Sequence, residues 1–136
     1  LQLPLPVGKP ARYLHLLENP KERYIFTLAR CNVLPSNVVY GRFGSLPLET
    51  RLCPCNTGTT ESLVHMILYC PLYKDMHASH LDPHLARLPG RQDEVILHKL
   101  LLGKDKTHTR QIAIFINLII QRRRPQLLNG PSVLHL

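Results

Sequence analysis

The chain has 136 residues, of which 44% are hydrophobic, and its 17 Lys and Arg against 9 Asp and Glu give a formal net charge of +8. This length excludes a multidomain enzyme, and the hydrophobic fraction is too high for a disordered tail. The longest apolar run, from Ile112 to Ile120, is about half as long as a bilayer crossing requires, so we expect no membrane span. Because the chain begins at Leu1 and not at Met, we expect it to be a piece of a longer protein.

Short helices interrupted by prolines are predicted along most of the chain. Asn19 is the expected N-cap of the second helix, with Pro20 as its first residue, and Thr60 is the expected N-cap of the third. Pro125 is expected to end the last helix, which Thr107 or Thr109 would cap. In chain order, helices are predicted over 11–18, 21–31, 61–68, 72–80 and 92–102, and from 107 or 109 to about 123.

The remaining segments lack a helical pattern of apolar residues. Residues 37–44 fit a short strand or a loose helical turn equally well, and 82–90 contain two prolines that predict a loop. The sequence therefore predicts a mainly α fold, a small helical domain with an irregular, zinc-knuckle-like insert around 45–60. In chain order, we expect an extended lead-in over 1–9, a single zinc-binding helical domain over 10–124, and a disordered tail over 125–136.

Three cysteines and one histidine follow the spacing C-x-C-x9-H-x4-C, namely Cys53, Cys55, His65 and Cys70. Three thiolates and one imidazole form a closed tetrahedral ligand set that is typical of structural Zn²⁺. Cys53 precedes Pro54, which favours an extended backbone, and residues two apart in an extended segment point to the same side. Both thiols of the first pair can therefore face one metal ion.

The second pair of candidate ligands needs a break in the helix. His65 and Cys70 are about 140° apart on a continuous α-helix. Pro71 disfavours helical conformation at Cys70, so the chain can turn this sulfur back towards His65. The same residues allow three alternatives to a metal site: two disulfides among the four cysteines, three buried cysteines beside an ordinary histidine, and a Cys–His nucleophile. The four-ligand interpretation accounts for these residues most fully, and Cys31 is expected to be a core residue.

Two further clusters carry possible functional side chains. The histidines His77, His80 and His84 lack a carboxylate or thiol that would complete a metal site, so we expect them to be solvated. The Arg122–Arg124 run follows the apolar helix, and together with the net charge it favours a polyanionic partner.

A longer pattern surrounds the candidate ligands. The pattern begins with residues 26–36 and Gly41-Arg42-Phe43, which precede the ligands. It continues through 51–55 and 60–73, which read R-x-C-x-C…E-(S/T)-x-x-H-x-(L/I)-x-x-C-P. This pattern resembles the zinc-binding region near the C-terminus of non-LTR (LINE-type) retrotransposon reverse transcriptases, over residues 20–80. The resemblance implies that the three cysteines and the histidine bind zinc. It also implies that the region helps a parent polymerase to hold template RNA or target DNA during target-primed reverse transcription.

The chain lacks the paired aspartates of a polymerase and any nucleophile or acid–base constellation, so we expect no enzyme. Our first hypothesis is a non-catalytic module that binds RNA or DNA beside the rest of the polyprotein, inside the cell and in the nucleus. The second is a structural or protein-interaction domain, in which the apolar helix 112–120 docks on the polymerase body. Tyr69 is a further candidate for base stacking. The predicted nucleic-acid contacts are Arg42, Arg51, Tyr73, Lys74, Arg122, Arg123 and Arg124.

Overall fold

The computed structural model describes residues 11–88 and 90–128, and the predicted mainly α fold is confirmed there. The predicted lead-in over 1–9 lies outside the described residues, as do residues 129–136 of the predicted tail. The described part contains no β-strand, only an isolated antiparallel bridge between Leu52 and Thr60. Its α-helices are α1 (Tyr13–Leu16), α2 (Pro20–Arg30), α3 (Asn37–Phe43), α4 (Lys74–Met76), α5 (Asp82–Leu85), α6 (Asp93–Leu100) and α7 (Lys106–Leu128).

The long helix α7 forms the centre of the core. It packs most extensively against α2 and also contacts α1 and α4. Its apolar face is completely buried at Ile112, Phe115, Ile116 and Ile119. Most of the apolar stripe within 112–120 therefore packs inside this chain. No helix in the described part of the chain is long and apolar enough to cross a membrane.

Side-chain caps mark the starts of α2 and α3. The Asn19 side chain accepts hydrogen bonds from the amides of Lys21 and Glu22, at 2.9 and 3.1 Å, as the sequence predicted for α2. The undecided segment 37–44 forms helix α3, because the Ser36 hydroxyl caps it by accepting the Val39 amide.

Two of the predicted boundaries in the middle of the chain are wrong. Thr60 does not cap a helix, because it pairs with Leu52, and the Ser62 hydroxyl accepts the His65 amide instead, at 3.1 Å. The loop predicted over 82–90 begins as helix α5, since a proline is tolerated in the first turn of a helix. Short 3₁₀ and π turns (Pro71–Tyr73 and His77–Leu81) join α4 and α5 into one helical segment over 71–85.

Helix α7 also differs from its prediction at both ends. The Asp105 carboxylate caps it by accepting the His108 amide at 2.8 Å, while Thr109 is completely buried. The helix passes the predicted end at Pro125 and continues to Leu128. Proline removes one backbone hydrogen bond, but the preceding turns are held by core packing, so the helix does not end there.

The predicted solvated histidines lie instead in the interface between segment 71–85 and α7. The rings of His77 and His80 face Phe115, with centroids 5.7 and 6.5 Å away, and His84 contacts His108 at 4.6 Å. Burial lowers the pKa of His77, His84 and His108, so the neutral form is favoured at this interface.

Candidate metal centre

A tight loop between Arg51 and Glu61 presents the first two candidate ligands. The Cys53 amide donates to the Thr59 carbonyl at 2.8 Å, and the Glu61 amide donates to the Arg51 carbonyl at 3.0 Å. The chain reverses through left-handed backbone conformations, including one at Gly58, where φ is +78° and a side chain would be strained. The loop thus behaves as a short hairpin that holds Cys53 at its base.

A single π-turn carries the second pair of candidate ligands. The turn spans His65–Tyr69 and is closed by a hydrogen bond of 2.7 Å from the Cys70 amide to the His65 carbonyl. Cys70 itself has an extended backbone (φ −62°, ψ 123°), as the following Pro71 predicts. The hydrogen bond that closes the turn therefore joins the backbones of the two ligands.

These two elements bring the four predicted ligands together. The Sγ atoms of Cys53, Cys55 and Cys70 and a ring nitrogen of His65 all lie within 4.8 Å of one another. The Cys53 and Cys70 sulfurs are 3.6 Å apart, close to the roughly 3.8 Å that two tetrahedral Zn–S bonds impose. The cysteines are free thiols, and Cys31 is exposed rather than in the core as predicted. This cluster could hold a metal ion.

The protonation of the cluster is set mainly by its burial. Burial raises the pKa of the Cys53 and Cys70 thiols and lowers that of His65, which favours the neutral imidazole that binds metals. Burial also raises the pKa of Cys55, but hydrogen bonds with Thr57, Cys53 and Cys70 together outweigh this effect and lower the pKa. A metal ion must therefore displace protons from at least two thiols in order to bind.

A buried ion pair supports the cluster from behind. Glu61 and Arg123 have side chains that are 0% and 1% exposed, and they form two hydrogen bonds of 2.6 and 3.0 Å. The Glu61 carboxylate also accepts the Asn37 amide and lies 3.9 Å from the Cys53 sulfur. This carboxylate connects the first ligand to both α3 and α7. The sequence predicts Glu61 in the first turn of a helix, and nothing in its spacing indicates a partner 62 residues away.

Two of the predicted nucleic-acid contacts are wrong, because their side chains are buried. Arg123 is held in the ion pair with Glu61, and Tyr73 is 0% exposed. A surface cation was predicted at Arg123 because three arginines follow one another. Successive helical residues are about 100° apart, so one of the three faces the core.

Two other predicted contacts already bind within the chain. Arg51 is half-buried and donates to the backbone carbonyls of Leu46 and Val38. Its side chain crosses Gly41 so closely that a Cβ there would lie 2.5 Å from the Arg51 Cδ atom, which explains the glycine. Arg122 is exposed and forms a bidentate pair with Asp75, at 2.6 and 2.9 Å.

The remaining predicted cations are accessible to a partner. Arg42, Lys74 and Arg124 are exposed.

No family model, no curated protein and no solved structure matches this chain. The resemblance to LINE-type reverse transcriptases therefore stays a prediction that rests on the sequence motif.

Proposed function

We propose that this chain is a non-catalytic nucleic-acid-binding module whose fold is stabilised by one Zn²⁺ ion. The observation that carries the proposal is the convergence of Cys53, Cys55, His65 and Cys70 within 4.8 Å. Thiolates and imidazole select Zn²⁺ over the hard cations Mg²⁺ and Ca²⁺, which take oxygen ligands. Four protein ligands close the tetrahedron and leave no position for a substrate, which is typical of a structural site.

The charge of the molecule supports a nucleic acid as the partner. Many of the cations that give the net charge of +8 are exposed, among them Arg42, Lys74 and Arg124. Lys and Arg side chains bind phosphates and release the counterions that surround them. By its sequence pattern, the module would serve a LINE-type reverse transcriptase in the nucleus, where it would contact template RNA or target DNA.

A purely structural role with the same zinc ion is the alternative. In this role the apolar helix 112–120 would dock on a polymerase body, but most of that stripe packs inside this chain. A structural module would keep its zinc and show no salt-dependent binding of nucleic acid, so the two functions can be separated by experiment.

Metal content tests the zinc site directly. We expect one zinc per purified chain, and Cys70→Ser should lose it together with part of the helical signal in circular dichroism. Cys31→Ser is the matched control, because Cys31 is an exposed free thiol outside the cluster, and this variant should keep the metal. A parent chain that is purified folded without zinc, and that binds none when zinc is added, would contradict the zinc site.

Nucleic-acid binding is tested by titrating single-stranded RNA at several salt concentrations. Replacing Arg42, Lys74 and Arg124 together by Gln should weaken binding and reduce the slope of log K against log salt by about 2. The control replaces three other exposed cations, Arg12, Lys21 and Lys104, and has the same net charge. Equal losses in both triple variants would show that only net charge matters, and salt-insensitive binding or no binding by the parent would contradict the proposal.

A further inference from the structure

A groove with a volume of about 420 Å³ lies beside the metal centre, and His65 forms part of its wall. It is bordered by the loop that carries the first ligand pair, by the π-turn and by the start of α6. Its walls combine apolar surface with a few polar groups. Besides His65 and Tyr69, the polar side chains that line it are Thr57, Thr59, Ser62 and Asp93.

Tyr69 is the aromatic side chain that borders this groove. It is 58% exposed, whereas the predicted stacking residue Tyr73 is 0% exposed. Its hydroxyl donates a hydrogen bond to Asp93, which ties the ring to the start of α6. The backbone of Tyr69 is also held, because it is the last residue of the π-turn and precedes Cys70. An aromatic ring fixed at both ends offers a preorganised stacking surface.

The charge of the groove selects between the parts of a nucleotide. No Lys or Arg is among the described residues that line it, and Asp93 contributes a carboxylate. A phosphate would therefore be repelled. A nucleobase has flat apolar faces and polar edges, and an ionised carboxylate accepts hydrogen bonds from amino groups such as those of adenine and cytosine.

We propose that this groove binds one unstacked base of a single-stranded nucleic acid, with the base stacked on Tyr69 and its amino group donating to Asp93. The inference rests on the proposed function, in which exposed cations bind the phosphate backbone. It adds a contact to the base itself, which the cations do not provide.

The stacking contact is tested with Tyr69→Ala and Tyr69→Phe, using a 12-nucleotide adenine RNA and the same strand with abasic sites. The Ala variant should bind the adenine RNA about tenfold more weakly with an unchanged salt slope, while Phe keeps the ring and most of the affinity. For the parent, the abasic strand should bind about tenfold more weakly. Tyr24→Ala is the control, because Tyr24 is 64% exposed on α2 and does not line the groove. This variant should bind the adenine RNA as tightly as the parent.

The contact with the base edge is tested at Asp93. The parent chain should bind cytosine RNA more tightly than uracil RNA, because the two pyrimidines stack similarly and only cytosine carries an amino group. Asp93→Ala should remove this preference, and Glu94→Ala, at the exposed neighbouring position in α6, should keep it. Equal affinity of the parent for both strands would overturn the role of Asp93.

Two outcomes separate this inference from the proposed function. If the parent binds RNA with a steep salt dependence, but Tyr69→Ala and the abasic strand change nothing, the groove binds no base and the proposed function stands. If the parent binds none of the strands, both are overturned. Zinc content and circular dichroism equal to those of the parent confirm that each variant is folded.

Discussion

At the scale of single residues, three consecutive arginines in α7 occupy three different environments. Arg122 pairs with Asp75 at the surface, Arg123 is buried against Glu61, and Arg124 is exposed. The three arginines carry the same charge, and they differ only in the direction in which each side chain points from the helix. The charge therefore does not show which of them is buried. The buried pair with Glu61 replaces a predicted nucleic-acid contact by a structural one.

Breaking the buried ion pair should be strongly destabilising. Arg123→Met or Glu61→Gln leaves one buried group without its partner, so we expect the free energy of unfolding to fall by about 3–5 kcal/mol. The double variant should lose less than the sum of the two single variants, since no unpaired charge is left. Urea unfolding monitored by circular dichroism, with zinc in excess, measures all three.

The control for this prediction is Arg122→Met, one position earlier in the same helix. The Arg122–Asp75 pair is solvent-exposed, and exposed pairs contribute little to stability. Its unfolding midpoint should therefore stay close to that of the parent. Equal losses in the free energy of unfolding for the substitutions at Arg122 and Arg123 would show that the buried pair contributes no more to stability than the exposed pair.

At the scale of elements, the metal centre depends on departures from regular helix. The spacing of His65 and Cys70 is incompatible with a continuous α-helix, and the π-turn with its extended end at Cys70 solves this. The extended backbone at Cys70 could be predicted from the sequence, because Pro71 disfavours helical conformation at the residue before it. The π-turn could not be predicted, because a hydrogen bond from an amide to the carbonyl five residues earlier leaves no pattern in the spacing of apolar residues.

The N-cap of α7 offers a test of a boundary that sequence reasoning placed wrongly. Asp105→Ala removes the acceptor of the His108 amide, so the free energy of unfolding should fall by about 1 kcal/mol. Asp105→Asn keeps an acceptor and should change it much less. Thr107→Ala, at the exposed one of the two positions predicted as the cap, should have a small effect. A larger loss at Thr107 than at Asp105 would contradict the cap. Thermal unfolding monitored by circular dichroism checks the series.

At the scale of the whole molecule, the metal centre connects parts of the chain that are far apart in sequence. The loop over 51–61 and the π-turn meet at the four ligands, and the Glu61–Arg123 pair joins them to α7. Helix α7 in turn packs against α1 and α2. Loss of the metal is therefore expected to weaken the whole fold and not the loop alone.

Metal removal tests this coupling. A metal present about a hundredfold above its Kd stabilises the folded state by about 2.7 kcal/mol, which for a chain of this size is roughly 10 °C in Tm. A zinc chelator with a thiol reductant should lower Tm by this amount, and added zinc should restore it. The Cys70→Ser variant should not respond to the chelator. An unchanged Tm in a parent chain shown to have lost its metal would contradict the coupling.

The fold class and the candidate ligands could be predicted from the sequence alone. Cysteine and histidine spacing, proline positions and the Asn19 cap are local features, and their physical effects act within a few residues. The tertiary structure decided which charges are surface charges, that most of the stripe in 112–120 is interior, and that Tyr69 rather than Tyr73 is exposed. These properties depend on which faces pack together. Packing between distant segments follows from the whole chain, so spacing alone does not show it.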